Sequence, residues 1–435
     1  MGKIVVIGAG PSGLSAGYHA NLHHLDYMIY EQESQVGGLC RSIDKDGFLF
    51  DFSGHLLYLK NPYFINLVKD FLGRNLTRHR RNSFIYSHGV FTPYPFQANL
   101  YGLPPKVIKE CLLEFVKSYY KNEDLPSSSY KSFYDWIIAK LGKGIGKHFM
   151  LPYNTKVWTV SPKELTCEWL SEFVPRPSLE EVFNGSFSAQ EKEFGYNAFF
   201  YYPQMNGIQA LSDAFAERMP NIKLNERLIW IHLGDKIVEF ESGLKVEYEK
   251  LISTISLKKI VKKLKRRVPS TVIQAAENLK HTSLLILNLG VKGKALTDKH
   301  WVYVPEKKYI AYRVGCYSKF SKSMAPAGAT SYYVEISYQR DWSIQKEEMI
   351  NRAIQDMHQM RLICREKDIV VKNVQDVECA YVIFDKNYSE NRRIVLNYLR
   401  ENDIFSIGRY GNWEYSGIEE AMAQGKKVIE NIICQ

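Results

Sequence analysis

The stretch KIVVIGAGPSGLSAGYHANLHHLDYMIYEQE, residues 3–33, constrains the fold of this chain more than any other. An apolar strand over 4–7 runs into glycines at positions 8, 10 and 13. A helix over 11–22 follows, then a second strand over 27–30 that ends in Glu31. Gly8 permits a tight turn, Gly10 lets a pyrophosphate approach the backbone, and Gly13 lets helix and strand pack closely. The helix then points its first N–H groups at the phosphates. Glu31 is placed to accept hydrogen bonds from a ribose diol. GxGxxG alone is a weak signal. Strand, glycines, helix, strand and terminal acid in register specify a dinucleotide site.

Residues 34–42, SQVGGLCRS, add Gly37 and Gly38 beside Arg41. Two adjacent glycines suit a second backbone approach to the same cofactor. This extension is similar to that of FAD proteins of the glutathione-reductase and amine-oxidase kind; a purely NAD-binding chain would not need it. Near the C-terminus SIGRYGNWEYSG, residues 406–417, has the same strand–glycine–helix character. In such flavoproteins the chain leaves the first domain and returns, so a strand over 404–407 is expected to pair into the first sheet. Gly408 and Arg409 would border the cofactor. The helix starting near Gly417 would aim its positive end at the flavin's pyrimidine edge, where negative charge gathers on reduction. The expected fold is α/β: a Rossmann-type FAD-binding domain (glutathione-reductase/amine-oxidase-like) with a helical insert and a second, largely antiparallel sheet domain.

A length of 435 residues implies two or three cores. Between 102 and 141 the apolar spacing turns helical, with Val107, Ile108, Cys111, Leu112, Phe115 and Val116 on one face. A glycine-broken turn follows at 142–146. Short alternating strands appear over 222–256, strands dominate again over 282–336, and a helix is expected over 346–366. The FAD-binding domain is accordingly assigned to 1–97, 195–280 and 376–435. The helical domain takes 98–194 and the substrate-binding sheet domain 281–375.

The net charge of +10 suits nucleic acid, anionic lipid or a small polyanionic substrate. The run LKKIVKKLKRRV, residues 257–268, reads as a solvated helix packed by its apolar face, with a membrane-surface helix as the other reading. Seven scattered cysteines without a CxxC pair argue against disulfides and zinc, and for a reducing compartment. His19 and His23 are four apart without an acidic partner, so a surface helix is favoured over a metal site. The chain starts directly with a strand and has no apolar run of about 18 residues. A cytoplasmic protein without nucleic-acid or metal partners is expected, with its oligomeric state open. The 29 tyrosines offer flat faces and hydroxyls that suit nucleotide or sugar sites.

Five further segments resemble the UDP-galactopyranose mutase family, particularly its eukaryotic type. YPFQANL (94–100) is similar to the family's YPFQNN. LPYNTKVWTVSPKELTCEWL (151–170) resembles its PYN-KVW stretch ending in WL. FFYYPQMNGIQAL (199–211), AYRVGCYSKFS (311–321) and GRYGNWEY (408–415) resemble three more of its turns and strands. The FAD glycines mark only the superfamily; PYNxKVW together with GRxGxWxY is much more specific.

The resemblance implies a reduced FAD and a UDP-linked sugar whose pyranose and furanose forms interconvert without net redox change. Flavin N5 would be the nucleophile at the anomeric carbon, so no nucleophilic Ser, His or Cys is needed. NADH or NADPH is a candidate reductant. His55 matches the family's loop histidine near N5. Phe96, Gln97 and Asn154 match the uracil-binding residues, with Trp158 packed nearby. Arg313 matches the arginine that grips the diphosphate. Tyr388 and Tyr415 match tyrosines whose hydroxyls reach the phosphates, and Arg409 would sit by the flavin.

Three departures mark the substrate side. The family's second diphosphate arginine is Phe173 here, with Arg176 three residues on. The tyrosine of its SNYS is Phe320. Its GNQDHS reads SGIEEA, residues 416–421. Galactose is therefore not assumed. The competing readings are an FAD-dependent oxidoreductase of the amine-oxidase or protoporphyrinogen-oxidase type, and a nucleotide-binding protein without chemistry.

Overall fold

The computed structural model describes residues 2–434 apart from 122–124, 171–173, 191, 193, 196, 266 and 344. Among these residues Ile4–Ile7 is the middle strand of a five-stranded parallel sheet. The order is Ile404–Ser406, Lys250–Ser253, Ile4–Ile7, Tyr27–Tyr30, Ile222–Lys223. Consecutive apolar residues suit a parallel strand covered on both faces, and Ile4, Val5 and Val6 are fully buried. The C-terminal strand thus joins the N-terminal sheet. Helix Pro11–Leu22 packs on the last helix, Ile418–Ile433. Gly425 permits the approach: a Cβ there would stand 2.3 Å from the Ser12 carbonyl oxygen. His19, expected on a surface helix, is buried instead, because neighbouring elements cover this helix. Its ring nitrogens bond the Ser15 carbonyl and the Tyr63 hydroxyl.

A seven-stranded sheet forms the second layer system. Its order is Ile369–Val382, His281–Lys292, Ala329–Tyr338, Arg313–Cys316, Trp301–Tyr303, Ser83–Ser87, Val90–Pro93. The last two strands come from the segment expected in the first domain. They extend this sheet because Ser83–Ser87 pairs in parallel with Trp301–Tyr303. Strand alternation divides the sheet's residues. Val334 and Ile336 pack with Leu285 and Leu287 against Met349, Ile350 and Ile354 of helix Lys346–Gln359. That helix ends seven residues before the expected 366, where Arg361 turns left-handed at φ +56°. Tyr333 and Glu335, on the opposite face, point away from it.

Helix Pro105–Lys121 crosses Phe133–Ile145 closely. A Cβ on Gly142 would lie 2.4 Å from the Glu114 carbonyl oxygen, and one on Gly144 2.6 Å from Cys111 Cα. The chain continues through the π turn Gly146–Met150 into the short helix Leu151–Trp158. The basic run 257–268 is not one helix: Leu257–Val261 is helical and Leu264–Lys265 is a strand. Leu257, Ile260, Val261 and Leu264 are all buried, so its apolar face is covered by the protein. Among the described residues no helix is long and apolar enough to cross a membrane.

Candidate functional site

Three glycine turns meet at the end of strand Ile4–Ile7. Gly8 has φ +99°, and a Cβ on Gly13 would fall 1.9 Å from the Gly8 carbonyl oxygen, so strand and helix touch there. Gly37 and Gly38 form the second turn. Gly37 N–H donates to the Ala9 carbonyl at 2.7 Å. Arg41 braces the turn, donating to the Gly38 carbonyl at 2.7 Å and pairing with Glu33 at 3.2 Å. Gly408 is the third; a Cβ there would lie 2.4 Å from Ser12 Oγ. Gly10 differs from all of these. A Cβ on it would stand 3.9 Å from the Gly37 carbonyl oxygen and from Gly38 Cα, an ordinary contact distance. Bare backbone of two glycine turns thus faces itself at the helix N-terminus, the kind of surface a pyrophosphate approaches.

Buried Glu31 stands at the rim of this cradle, accepting from Ala9 N–H at 2.7 Å and Glu33 N–H at 3.0 Å. Arg409 donates to the Ser416 carbonyl at 2.7 Å and lies over the rings of Tyr415 and Tyr381, 4.8 and 5.3 Å from their centroids. Gly417 caps the last helix, but its N–H already donates to the Glu420 carboxylate at 2.9 Å. The positive end expected there is therefore partly offset by the chain's own acid. Glu419 accepts from Lys60 N–H at 2.7 Å and ties the loop after His55 to this helix. The three glycine turns at the helix N-terminus, with Glu31 beside them, fit FAD.

A cleft lies between the helical region and the seven-stranded sheet. Aromatic residues dominate one part: Phe149, Tyr153, Trp158 and Trp169 line it. Phe149 and Tyr153 stack at 5.2 Å, and Trp158 packs on Trp169 at 4.9 Å. Gln97 lines the same part. Its Nε2 donates to the Pro175 carbonyl at 2.7 Å, while its buried Oε1 has no hydrogen-bond partner among the described residues. Asn154 is committed inside its own helix. Its amide donates to the Met150 carbonyl at 2.8 Å and accepts from Trp158 Nε1 at 3.3 Å.

Arg313 and four tyrosines, Tyr303, Tyr312, Tyr381 and Tyr415, line the other part. Fully buried Glu335 holds Arg313 through two hydrogen bonds, one of 2.7 Å from a terminal guanidinium nitrogen, and also accepts from Ser53 Oγ. Burial works against the Arg313 charge, but Glu335 outweighs it and the guanidinium stays protonated. Strand pairing makes this contact: Arg313 stands directly opposite Glu335. Tyr333 wedges beside them. The space for its ring exists because positions 54 and 315 are glycines; Cβ atoms there would come within 2.5 and 2.0 Å of it. His55 sits among Arg409, Arg313 and Glu335. Burial, reinforced by Arg409, lowers its pKa to about 4, so it is neutral at pH 7. Its Nδ1 has no hydrogen-bond partner among the described residues.

Two sequence assignments need correction. Phe96 does not line the cleft. It is fully buried behind Phe149, stacked on it at 5.1 Å, so Phe149 and Tyr153 present the aromatic faces. Tyr388 does not line it either. Its ring packs on Phe384 and its hydroxyl donates to the Trp413 carbonyl at 2.5 Å, because its helix starts behind the GRYGNW turn. Tyr381 stands in the cleft instead, stacked on Tyr415 at 6.1 Å and 3.0 Å from the Tyr312 hydroxyl. Phe320 packs in the core against Phe200 and Tyr202. Position 173 lies outside the described residues. The residues sequence reasoning missed, Glu335 and Tyr333 above all, carried one signal: SYYVEIS buries a glutamate in an otherwise apolar strand.

The model of flavin containing amine oxidoreductases matches residues 11–433. The chain belongs to that family. FAD is the cofactor that family and fold support. A crystal structure of reduced UDP-galactopyranose mutase superposes with a TM-score of 0.94 at 29% identity, covering 100% of this chain and 94% of that one. The UDP-galactopyranose mutase of Mycoplasma genitalium is 24% identical over 36% of this chain and 39% of its own length. The dTDP-fucopyranose mutase of Escherichia coli is 21% identical over 54% and 58%. The mitochondrial protoporphyrinogen oxidase of Nicotiana tabacum is 43% identical over 11% and 10%. The matches thus span less than two thirds of the length of these curated relatives.

Proposed function

We propose that this chain is a flavin-dependent nucleotide-sugar mutase, an isomerase that interconverts the pyranose and furanose forms of a UDP- or related pyrimidine-diphosphate sugar. The observation that carries the reading is the division of one cleft into an aromatic–amide end and an arginine–tyrosine end. Phe149, Tyr153 and Trp158 give flat faces to a pyrimidine, and the unpartnered Gln97 Oε1 accepts its imide N–H. Asn154 orients Trp158. At the other end Arg313, with the hydroxyls of Tyr381 and Tyr415, receives the diphosphate.

The Gly8–Gly10–Gly13 turn, Gly37, Gly38 and Gly408 would hold FAD, with Glu31 at its ribose. When bound and reduced, it supplies a nucleophilic N5 for the anomeric carbon. Arg313 stabilises the charge that develops on the departing nucleoside diphosphate, and it is fixed in advance by Glu335. Neutral His55 offers its free Nδ1 to the cofactor and sugar without placing a second cation beside the arginine. The stacked rings exclude water from the reacting centre. The mutase structure and the two sugar-mutase relatives support this reading. They differ in nucleotide and sugar, so the sugar is left to experiment.

The test is reduction-gated isomerisation. Purified FAD-loaded protein, reduced with dithionite under nitrogen, is incubated with a panel of UDP- and dTDP-sugars, and the products are separated by chromatography. A ring isomer formed only by reduced protein is the expected result; NADH or NADPH then replaces dithionite. Oxygen consumption by oxidised protein on one substrate, with no isomer, favours the oxidoreductase reading instead.

A further inference from the structure

Lys156 has no place in the chemistry described so far, yet three backbone carbonyls converge on it. Its Nζ donates to Val304 at 2.8 Å and to Glu306 at 3.3 Å, and it also bonds Ala311. These carbonyls belong to one loop, 304–312, which joins strand Trp301–Tyr303 to strand Arg313–Cys316. The loop is bracketed by cleft residues: Tyr303 precedes it, and Tyr312 and Arg313 end it. Lys156 itself belongs to Leu151–Trp158, the helix that carries Tyr153, Asn154 and Trp158. One ammonium therefore spans the two ends of the cleft.

The opposite side of the loop is held by an opposite charge. Asp356, buried on helix Lys346–Gln359, accepts from Ile310 N–H at 2.6 Å. Arg352 of that helix donates to the Lys308 carbonyl at 2.9 Å. Within the loop, Glu306 pairs with Lys308 at 3.3 Å and accepts from His88 N–H at 3.1 Å. The loop's hydrogen bonds to Lys156 all come from backbone carbonyls, with the Glu306 carboxylate adding charge attraction. Three carbonyls need three N–H donors, which only the ammonium form supplies.

We propose that Lys156 is a positioning residue: by strapping the 304–312 loop to helix Leu151–Trp158, it fixes Arg313 at a set distance from the aromatic residues of that helix, and so sets the length of diphosphate the cleft spans. This rests on the nucleotide-sugar reading for its ligand, but the strap itself is a property of the fold. Burial lowers the Lys156 pKa to about 7, against the raising effect of Asp356 and then Glu306. A neutral amine has two donors for three carbonyls. The strap is therefore intact below this pKa and loosens as pH rises through it.

The experiment compares FAD-loaded wild type, Lys156→Met and Lys156→Arg by amide hydrogen exchange over 304–312, by UDP titration and by flavin content. The strap predicts unchanged flavin content, faster exchange in Lys156→Met, and UDP affinity weakened about tenfold or more, since small misplacements of a binding group are costly. Lys156→Arg keeps more of the protection, because its guanidinium does not deprotonate. Should Lys156→Met not fold, the wild type carries the test: exchange at 304–312, corrected for its intrinsic pH dependence, quickens between about pH 6 and about pH 8.5. Exchange and UDP affinity equal to wild type in Lys156→Met, or protection in the wild type that does not change with pH, overturns the proposal. Absence of UDP binding in the wild type defeats the nucleotide-sugar reading, while exchange over 304–312 still reports on the strap.

Discussion

The glycine cradle and the cleft are built from different parts of the chain. The cradle is made of backbone. Each of its turns lies within a continuous motif, and its glycines other than Gly10 answer to close contacts or to a left-handed backbone. The cleft is made of side chains from separate segments: Gln97, the 149–158 helix region, Tyr303 to Arg313, Tyr381 and Tyr415. A site of the first kind leaves its requirement in local sequence. A site of the second kind leaves it in strand register and packing, which only the folded chain displays.

The largest effect expected separates the two regions outright. Gly10→Val places its new Cβ 3.9 Å from its nearest neighbours, an ordinary contact distance. The protein should fold and lose its flavin, read as flavin absorbance per mole of protein. A fully yellow Gly10→Val variant breaks the distinction, because the backbone at Gly10 would then not face the pyrophosphate.

Arg313→Ala is the converse. It should keep FAD and lose about 10²–10³-fold in turnover, the loss typical of removing a preorganised charge-stabilising group. It also strands buried Glu335, at a cost of about 3–5 kcal/mol in stability. Adding Glu335→Gln should recover the melting temperature without recovering turnover. Recovery of both would assign Arg313 to the core and not to the substrate.

Two tyrosines sharpen the comparison further. Tyr381→Phe should weaken UDP binding by about 1.5–3 kcal/mol, one hydrogen bond to a charged group. Tyr388→Phe should leave binding and turnover unchanged and lower stability by about 1 kcal/mol, one neutral hydrogen bond, because its hydroxyl serves the Trp413 carbonyl. The reverse pattern, measured by calorimetry and UDP titration, would restore the sequence-based assignment of Tyr388.

The smallest effect lies beneath both regions. Asp51 is fully buried, and burial pushes its pKa up to about 7 despite hydrogen bonds from Ser42, Tyr202 and the Ile208 N–H. The folded state holds a proton that the unfolded state gives up near pH 4, so stability falls as pH rises toward 7. Asp51→Asn should flatten the decline in melting temperature between about pH 4 and about pH 7. An unchanged decline would assign it to another group.

What the sequence made legible follows the same division. Strand Ile4–Ile7, helix Pro11–Leu22 and strand Tyr27–Tyr30 appear with the bounds that the pattern predicted, and so does the return of the C-terminal strand. The cleft was visible only through likeness of short motifs. That likeness located YPFQ but not which ring faces outward: Phe96 stacks behind Phe149, and nothing in a single sequence distinguishes the two. Glu335 and Lys156 were missed because their partners lie across a strand pair or at the far end of a loop. Ser83–Ser87 was misplaced because its partner strand follows it by more than two hundred residues.

The most direct measurement of the central claim is a UDP titration of FAD-loaded protein, read by tryptophan fluorescence, since Trp158 and Trp169 line the aromatic end of the cleft. The account predicts a saturable change in wild type, weakened at least about tenfold in Arg313→Ala, where a charge-assisted contact is lost. Flavin content should be equal in both. A protein that holds its flavin and shows no response to UDP, or responds equally with and without Arg313, would contradict it.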